Sequence, residues 1–189
     1  MTSDGVDEEF REISEIQEIQ ENSEIPVTIF ADDRRIASLS AYTDRLDELV
    51  SVFQDAQADD GELLDRRPAP DAWSVSEVLH HLADAELHQS VRLREMLSVH
   101  MPVWAEWDET EYANQLGYDV RPAGDSLTLI LSIRNVNSRL LAILSPEQWN
   151  RVAIHPTKGE VDVAGWVDVC VDHLAAHVLQ ARRAVIGMI

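Results

Sequence analysis

Cysteine occurs once in this 189-residue chain, at Cys170, so no disulfide can form within it and the fold does not depend on an oxidising compartment. Glycine and proline are scarce, seven of each, which argues against a turn-rich β architecture. Basic side chains are few as well. Lys and Arg total 15 against 35 Asp and Glu, leaving a formal net charge of −20. A surface this acidic repels phosphate backbones and anionic headgroups, so neither nucleic acid nor membrane is expected as a partner. Small molecules stay open, because a local site can differ from the global field. No apolar run approaches the length of a transmembrane helix. The opening stretch MTSDGVDEEF has no basic region followed by an apolar one, so no signal peptide is expected and the cytoplasm is the default compartment.

What the chain does contain is ordinary apolar residues, 45% of the total, with Leu, Ala, Glu and Arg frequent. This composition favours helices, and the length suits one domain with a tail. The tail is residues 1–29, dominated by Asp and Glu with Arg11 as its only basic residue. Phe10, Ile13, Ile16 and Ile19 form a narrow stripe too weak to hold a helix alone. The segment is expected to be mobile, or to order only against the body or a second subunit, as in a homodimer.

Residues 30–189 read as four long helices. The first runs from about Asp32 to about Gln54, with Ile36, Leu39, Leu46, Leu49, Val50 and Phe53 at core spacing. After the linker DDGELLDRRPAPDAW comes a second helix, opened by Ser74 as N-cap and Glu77 three residues later, a capping box. Its apolar stripe carries it to about Val99. Residues 100–124 form a long connection whose tryptophans, Trp104 and Trp107, argue for packing over something. Asp125 and Ser126 open a third helix that includes Leu127, Ile130, Leu131, Val136 and Leu141. Residues 145–161 form a second connection with a turn at Lys158-Gly159. The last helix runs from about Asp162 to about Val185. No stretch alternates long enough to build a sheet, so the expected fold is an all-α four-helix bundle.

The seven histidines carry the chemistry. His173 and His177, four apart, place two imidazoles on one face of the last helix, a spacing that can chelate one ion. The motif HLAAH lacks the Glu of HExxH, so it brings no zincin-type base. Alone, this pair is a weak signal. His81 shares a stripe with Val78, Ala85 and His88 and should face the bundle interior, while His80 points about 100° away, towards solvent or an edge. A lone histidine on such a stripe is usually core. Opposite a chelating pair, it completes a three-imidazole facial set with coordination positions left open, as in catalytic sites. Glu77, Asp84, Glu86 and Asp172 flank these histidines; Glu77 is expected as a cap and the others on solvated faces. Cys170 is expected as inert packing, and His88, His100 and His155 are lesser candidates.

WSVSEVLHHLADAE, the later DHLAAHVLQ and the intervening HPTKG together resemble the DinB-like superfamily, typified by YfiT-type proteins regarded as metal-dependent hydrolases. The resemblance spans about Asp32 to Val185. It implies an up-down-down-up four-helix bundle holding one divalent metal ion, with zinc, nickel or iron expected, on His81, His173 and His177. Many relatives carry a second histidine after the last motif, where this chain has Val178. It further implies a metal-dependent hydrolase or a thiol S-transferase acting on a small-molecule substrate with a low-molecular-weight thiol. The family's link to a DNA-damage response concerns regulation and implies no DNA binding. Glu77, Asp108 or Glu109 could serve as base, and the residues do not choose among them. The alternative is a non-catalytic metal-binding or stress-response bundle; a helical interaction protein without metal is a third reading.

Overall fold

The computed structural model describes residues 33–58 and 61–188. The acidic segment 1–29 and its expected mobility lie outside the described residues.

Three uninterrupted helices form most of the bundle: α4 (Val75–Ser98), α6 (Ala123–Ala142) and α8 (Val163–Val185). The fourth, expected as one rod, is two pieces, α1 (Asp33–Thr43) and α2 (Leu46–Gln57). Side-chain competition marks the break: Thr43 Oγ1 donates to the Ser40 carbonyl (3.3 Å) and Ser40 Oγ to Asp44 (3.4 Å). The Tyr42 carbonyl is meanwhile drawn to Arg134 Nη1 at 2.8 Å. A carbonyl held by a guanidinium is poorly placed to continue a helical ladder.

Helix directions follow from which residues meet. Along α4 and α6 the pairs His80–Ser126, Glu86–Arg134 and Ser90–Asn137 advance together, so these helices are parallel. Between α4 and α8 the order reverses: His81 meets His177, and Gln89 meets Trp166. Tyr42 against Trp166 and Glu48 near Arg182 set α1 and α2 parallel to α8. The bundle is up-down-down-up. A parallel α4–α6 pair demands a return across the length of the bundle, which residues 99–122 supply.

The connections hold more structure than their composition suggested. Short helices interrupt them: α3 (Glu62–Asp65), α5 (Glu109–Gln115) and α7 (Pro146–Trp149). A hairpin of β1 (Val152–His155) and β2 (Gly159–Asp162) lies between α7 and α8, with His155 opposite Gly159. Four residues per strand are too few for alternation to be visible in sequence. His155 Nδ1 accepts from the amides of Thr157 (3.2 Å) and Lys158 (3.3 Å), closing the turn. Gly159 enters β2 at φ +75°, a left-handed value that suits glycine. The hairpin also ties down the long connection: Trp104 N donates to the Ile154 carbonyl (3.0 Å) and Ile154 N to the Pro102 carbonyl (2.8 Å).

Two apolar clusters fill the interior. One joins Leu49, Phe53, Leu79, Leu82, Leu127, Ile130 and Val178. The other joins Tyr42, Leu93, Met96, Trp104, Leu141, Trp149 and Trp166. Ile36 and Val136, which fall at core spacing, are about half exposed, because the stripe on each helix is wider than the face its neighbours cover.

Candidate metal centre

The site begins with the cap of α4. Glu77 N donates to Ser74 Oγ (3.2 Å) and Ser74 N donates to Glu77 Oε2 (2.9 Å), the capping box read from sequence. Arg67 engages the same carboxylate through Nε (2.8 Å) and Nη2. Glu77 is therefore committed to the helix terminus. One turn on, His80 and His81 leave the helix on different sides. His80 is fully buried against α6, contrary to the solvent or edge position that its phase suggested. Its Nε2–H donates to the Arg121 carbonyl (3.1 Å) and Nδ1 accepts from Ser126 Oγ (2.7 Å). The reason is topological: α4 is central, covered by α6 on one side and α8 on the other.

His81 faces α8. Its Nε2 lies 3.0 Å from His173 Nε2 and 3.1 Å from His177 Nε2. The three ligand atoms lie within 4.8 Å of one another. Metal–imidazole bonds of about 2.0–2.1 Å at near-right angles separate ligand nitrogens by about 3 Å. The donor chemistry also fits a cation. His177 Nδ1–H donates to Gln180 Oε1 (2.7 Å), which fixes the tautomer and leaves Nε2 a bare lone pair. His81 Nε2 carries at most one proton for two neighbouring nitrogens, and its buried Nδ1 has no partner. Three converging imidazoles cannot satisfy one another. One cation can accept a lone pair from each.

Burial, reinforced by His177 and His173, lowers the His81 pKa to about 3. Burial and His177 take His173 to about 3 as well, and burial lowers His177. All three rings are thereby held neutral, the state in which imidazole ligates.

The long connection roofs this cluster. Trp107 lies between His81 and His88, stacked at 5.6 Å and 15° on one ring and at 4.8 Å and 18° on the other. Trp73 packs on His81 from the opposite linker at 5.1 Å. Glu109, the first residue of α5, brings Oε2 to 3.5 Å from His81 Nε2, with its side chain still largely exposed. Asp108 instead caps α5, accepting from Glu111 N (3.0 Å).

The remaining candidates separate clearly. Asp172 is exposed, as expected. Asp84 and Glu86, expected on a solvated face, are buried. Asp84 accepts from Tyr118 (2.7 Å) and Glu86 from Arg134 (2.8 Å), so neither orients a histidine of the cluster. Cys170 is buried, and burial raises its thiol pKa well above the ordinary value. His88 meets Tyr112 Oη (3.0 Å) and His155 closes the hairpin, while His100 is exposed. Gln180 is absent from the candidates above, though its i+3 spacing from His177 already puts it within reach of that ring. Trp107 was expected to pack over something and does so, but neither it nor Trp73 carried a signal of what it covers, since loop packing decides that.

A family model described as the DinB superfamily matches residues 38–181. Two proteins of Oceanobacillus iheyensis, each named "Putative metal-dependent hydrolase", are similar in sequence. One is 27% identical over 159 residues, covering 82% of this chain and 92% of its own. The other is 26% identical over 161 residues, covering 84% and 87%. Among solved structures, one is described as "YfiT from Bacillus subtilis is a probable metal-dependent hydrolase with an unusual four-helix bundle topology". It matches with a TM-score of 0.72 at 20% identity, covering 84% of this chain and 90% of that one, a likeness of fold.

Proposed function

This chain belongs to the DinB superfamily, and from that membership and its clustered imidazoles we propose a metal-dependent enzyme whose His81, His173 and His177 hold one divalent cation. Hydrolysis of a small molecule, or transfer of a low-molecular-weight thiol to one, is the proposed reaction. The observation that carries this reading is the convergence of three Nε2 atoms, His81 at 3.0 and 3.1 Å from the other two, with no proton arrangement that satisfies them. A cation bound there supplies Lewis acidity and makes water or a thiol acidic enough to act near neutral pH.

The protein's own groups divide the remaining work. Gln180 holds the tautomer of His177. Trp107 and Trp73 shield His81 from water. Glu109 is the base: its exposed carboxylate, 3.5 Å from His81 Nε2, is free to take a proton from an incoming nucleophile.

The same placement favours a second reading, a metal-binding module without turnover, in which Glu109 closes a coordination position. Elemental analysis of protein purified without a histidine tag tests the centre. His81→Ala and His177→Ala are expected to lose the ion; stoichiometric metal in either variant overturns it. Glu109→Gln then separates the two readings. With a base, metal is retained and turnover of an ester or thiol–electrophile panel falls about 100-fold. A loss of metal affinity instead identifies Glu109 as a ligand.

A further inference from the structure

Beside the imidazole cluster, across Trp107, lies a groove of about 740 Å³ between α4 and the segment leading to Trp107. Leu87, Val91 and Val103 form its aliphatic wall, all three exposed to it or to solvent. Trp104 and Trp107 form the aromatic wall. Between the two is Arg92, only 8% exposed.

Arg92 and Arg134 are the buried arginines among the described residues, and of the two only Arg134 has a carboxylate partner. Acidic residues outnumber basic ones by 35 to 15, and other arginines of the bundle use them: Arg67 pairs with Glu77, Arg121 with Asp84, and Arg134 with Glu86. Arg92 has no carboxylate within ion-pair distance among the described residues. One Nη2–H donates to the Ala105 carbonyl (2.7 Å), and the guanidinium sits 5.3 Å from the Trp104 ring. Its Nε and Nη1 find no acceptor among the described residues, yet neither is a sealed unsatisfied atom. Each keeps some contact with solvent, and the side chain lines the groove. Burial lowers the Arg92 pKa, with Cys170 and Glu95 acting against it, as expected for a desolvated cation that lacks a close counter-ion.

We propose that this groove is a binding site for an organic carboxylate with an apolar body, the carboxylate accepting from a free guanidinium N–H of Arg92 and the body held between the aliphatic and tryptophan walls. A carboxylate oxygen accepting from a guanidinium N–H makes a charge-assisted hydrogen bond, stronger than a neutral one. The aromatic faces supply the contact area that a charged group alone cannot. Binding in the groove stands independently of the metal centre. Glu95 and Glu106 at the groove's edge would favour a cation instead; neither forms an ion pair with Arg92, although Glu95 acts on its charge from a distance.

Isothermal titration calorimetry on the full chain, with and without EDTA, tests the site using 2-naphthoate, neutral 2-naphthamide and cationic 2-naphthylmethylamine. The carboxylate is expected to bind at least about tenfold tighter than the amide in both conditions, the scale of a charge-assisted hydrogen bond. Arg92→Met is expected to erase that preference. Should this variant unfold, Val91→Glu, at an exposed wall position, is expected to reduce the preference without touching Arg92. Equal binding of carboxylate and amide overturns the proposal. So does tighter binding of the amine, which would make the groove a cation site. Loss of the preference on chelation overturns it too, by placing the anion at the metal centre rather than in the groove.

Discussion

At the scale of single residues, Arg134 shows what the helical pattern hides. It is fully buried and donates to Glu86 Oε1 through Nε (2.8 Å) and Nη2 (2.5 Å). It also reaches the carbonyls of Tyr42 (2.8 Å) and Cys170 (3.0 Å), joining α1, α4, α6 and α8 through one side chain. A buried ion pair is costly to form and costlier to halve. Arg134→Met alone, which strands Glu86, is expected to lower the unfolding free energy by about 3–5 kcal/mol in urea titrations. The double variant Glu86→Met/Arg134→Met should recover much of that loss. A double variant as unstable as the sum of both singles would refute the compensation and leave simple packing as the cause.

At the scale of elements, the first turn of α4 has two tasks. Its capping box satisfies backbone groups, and it sets the helical phase that sends His81 towards α8 and His80 towards α6. Ser74→Ala removes the acceptor for Glu77 N and is expected to cost about 1 kcal/mol of stability, with far-UV dichroism nearly unchanged. Because Arg67 still anchors Glu77 and Val75, Val78 and Leu79 stay packed, the phase should hold and bound metal remain stoichiometric. Metal loss in Ser74→Ala at full folding would show that the cap itself positions His81.

At the scale of the whole molecule, the imidazole cluster links folding to protons and to metal. His81 and His173 titrate near 3 in the folded, metal-free chain against an ordinary 6.5. Their folded-state pKa values are depressed, so between those limits the unfolded chain binds more protons. The stability of EDTA-treated protein should be intact above about pH 6.5 and fall as the pH drops towards 3. The slope is at most about 1.4 kcal/mol per pH unit for each group. His173→Gln should flatten it, as read from Tm against pH. Metal bound to the native state alone should raise Tm, and chelation of a loaded sample reverse the gain.

The helices themselves are local products. The capping box at Ser74 and Glu77, the stripe of α4 and the i, i+4 pair His173 and His177 are properties of short stretches, so the sequence alone determined them. Given four such helices, burial of their stripes dictates a bundle. His81 could be picked out because it lies on a stripe opposite that pair. The break at Thr43–Asp44 has a local part in the Ser40, Thr43 and Asp44 side chains, but the pull on the Tyr42 carbonyl and the burial of His80, Asp84 and Glu86 depended on distant partners, Arg134, Ser126, Tyr118 and Arg121. No local pattern carries such information, since what a side chain costs in the interior is decided by what meets it there. The roof was legible only in part: Trp104 and Trp107 announced that the long connection packs over something, but not over what. Trp107 reaches the site through a connection that the hairpin fixes, and Glu109 through a short helix that the roof carries. Only the tertiary structure converted three histidines in two helices into one cluster with a wall, a carboxylate and a groove beside it.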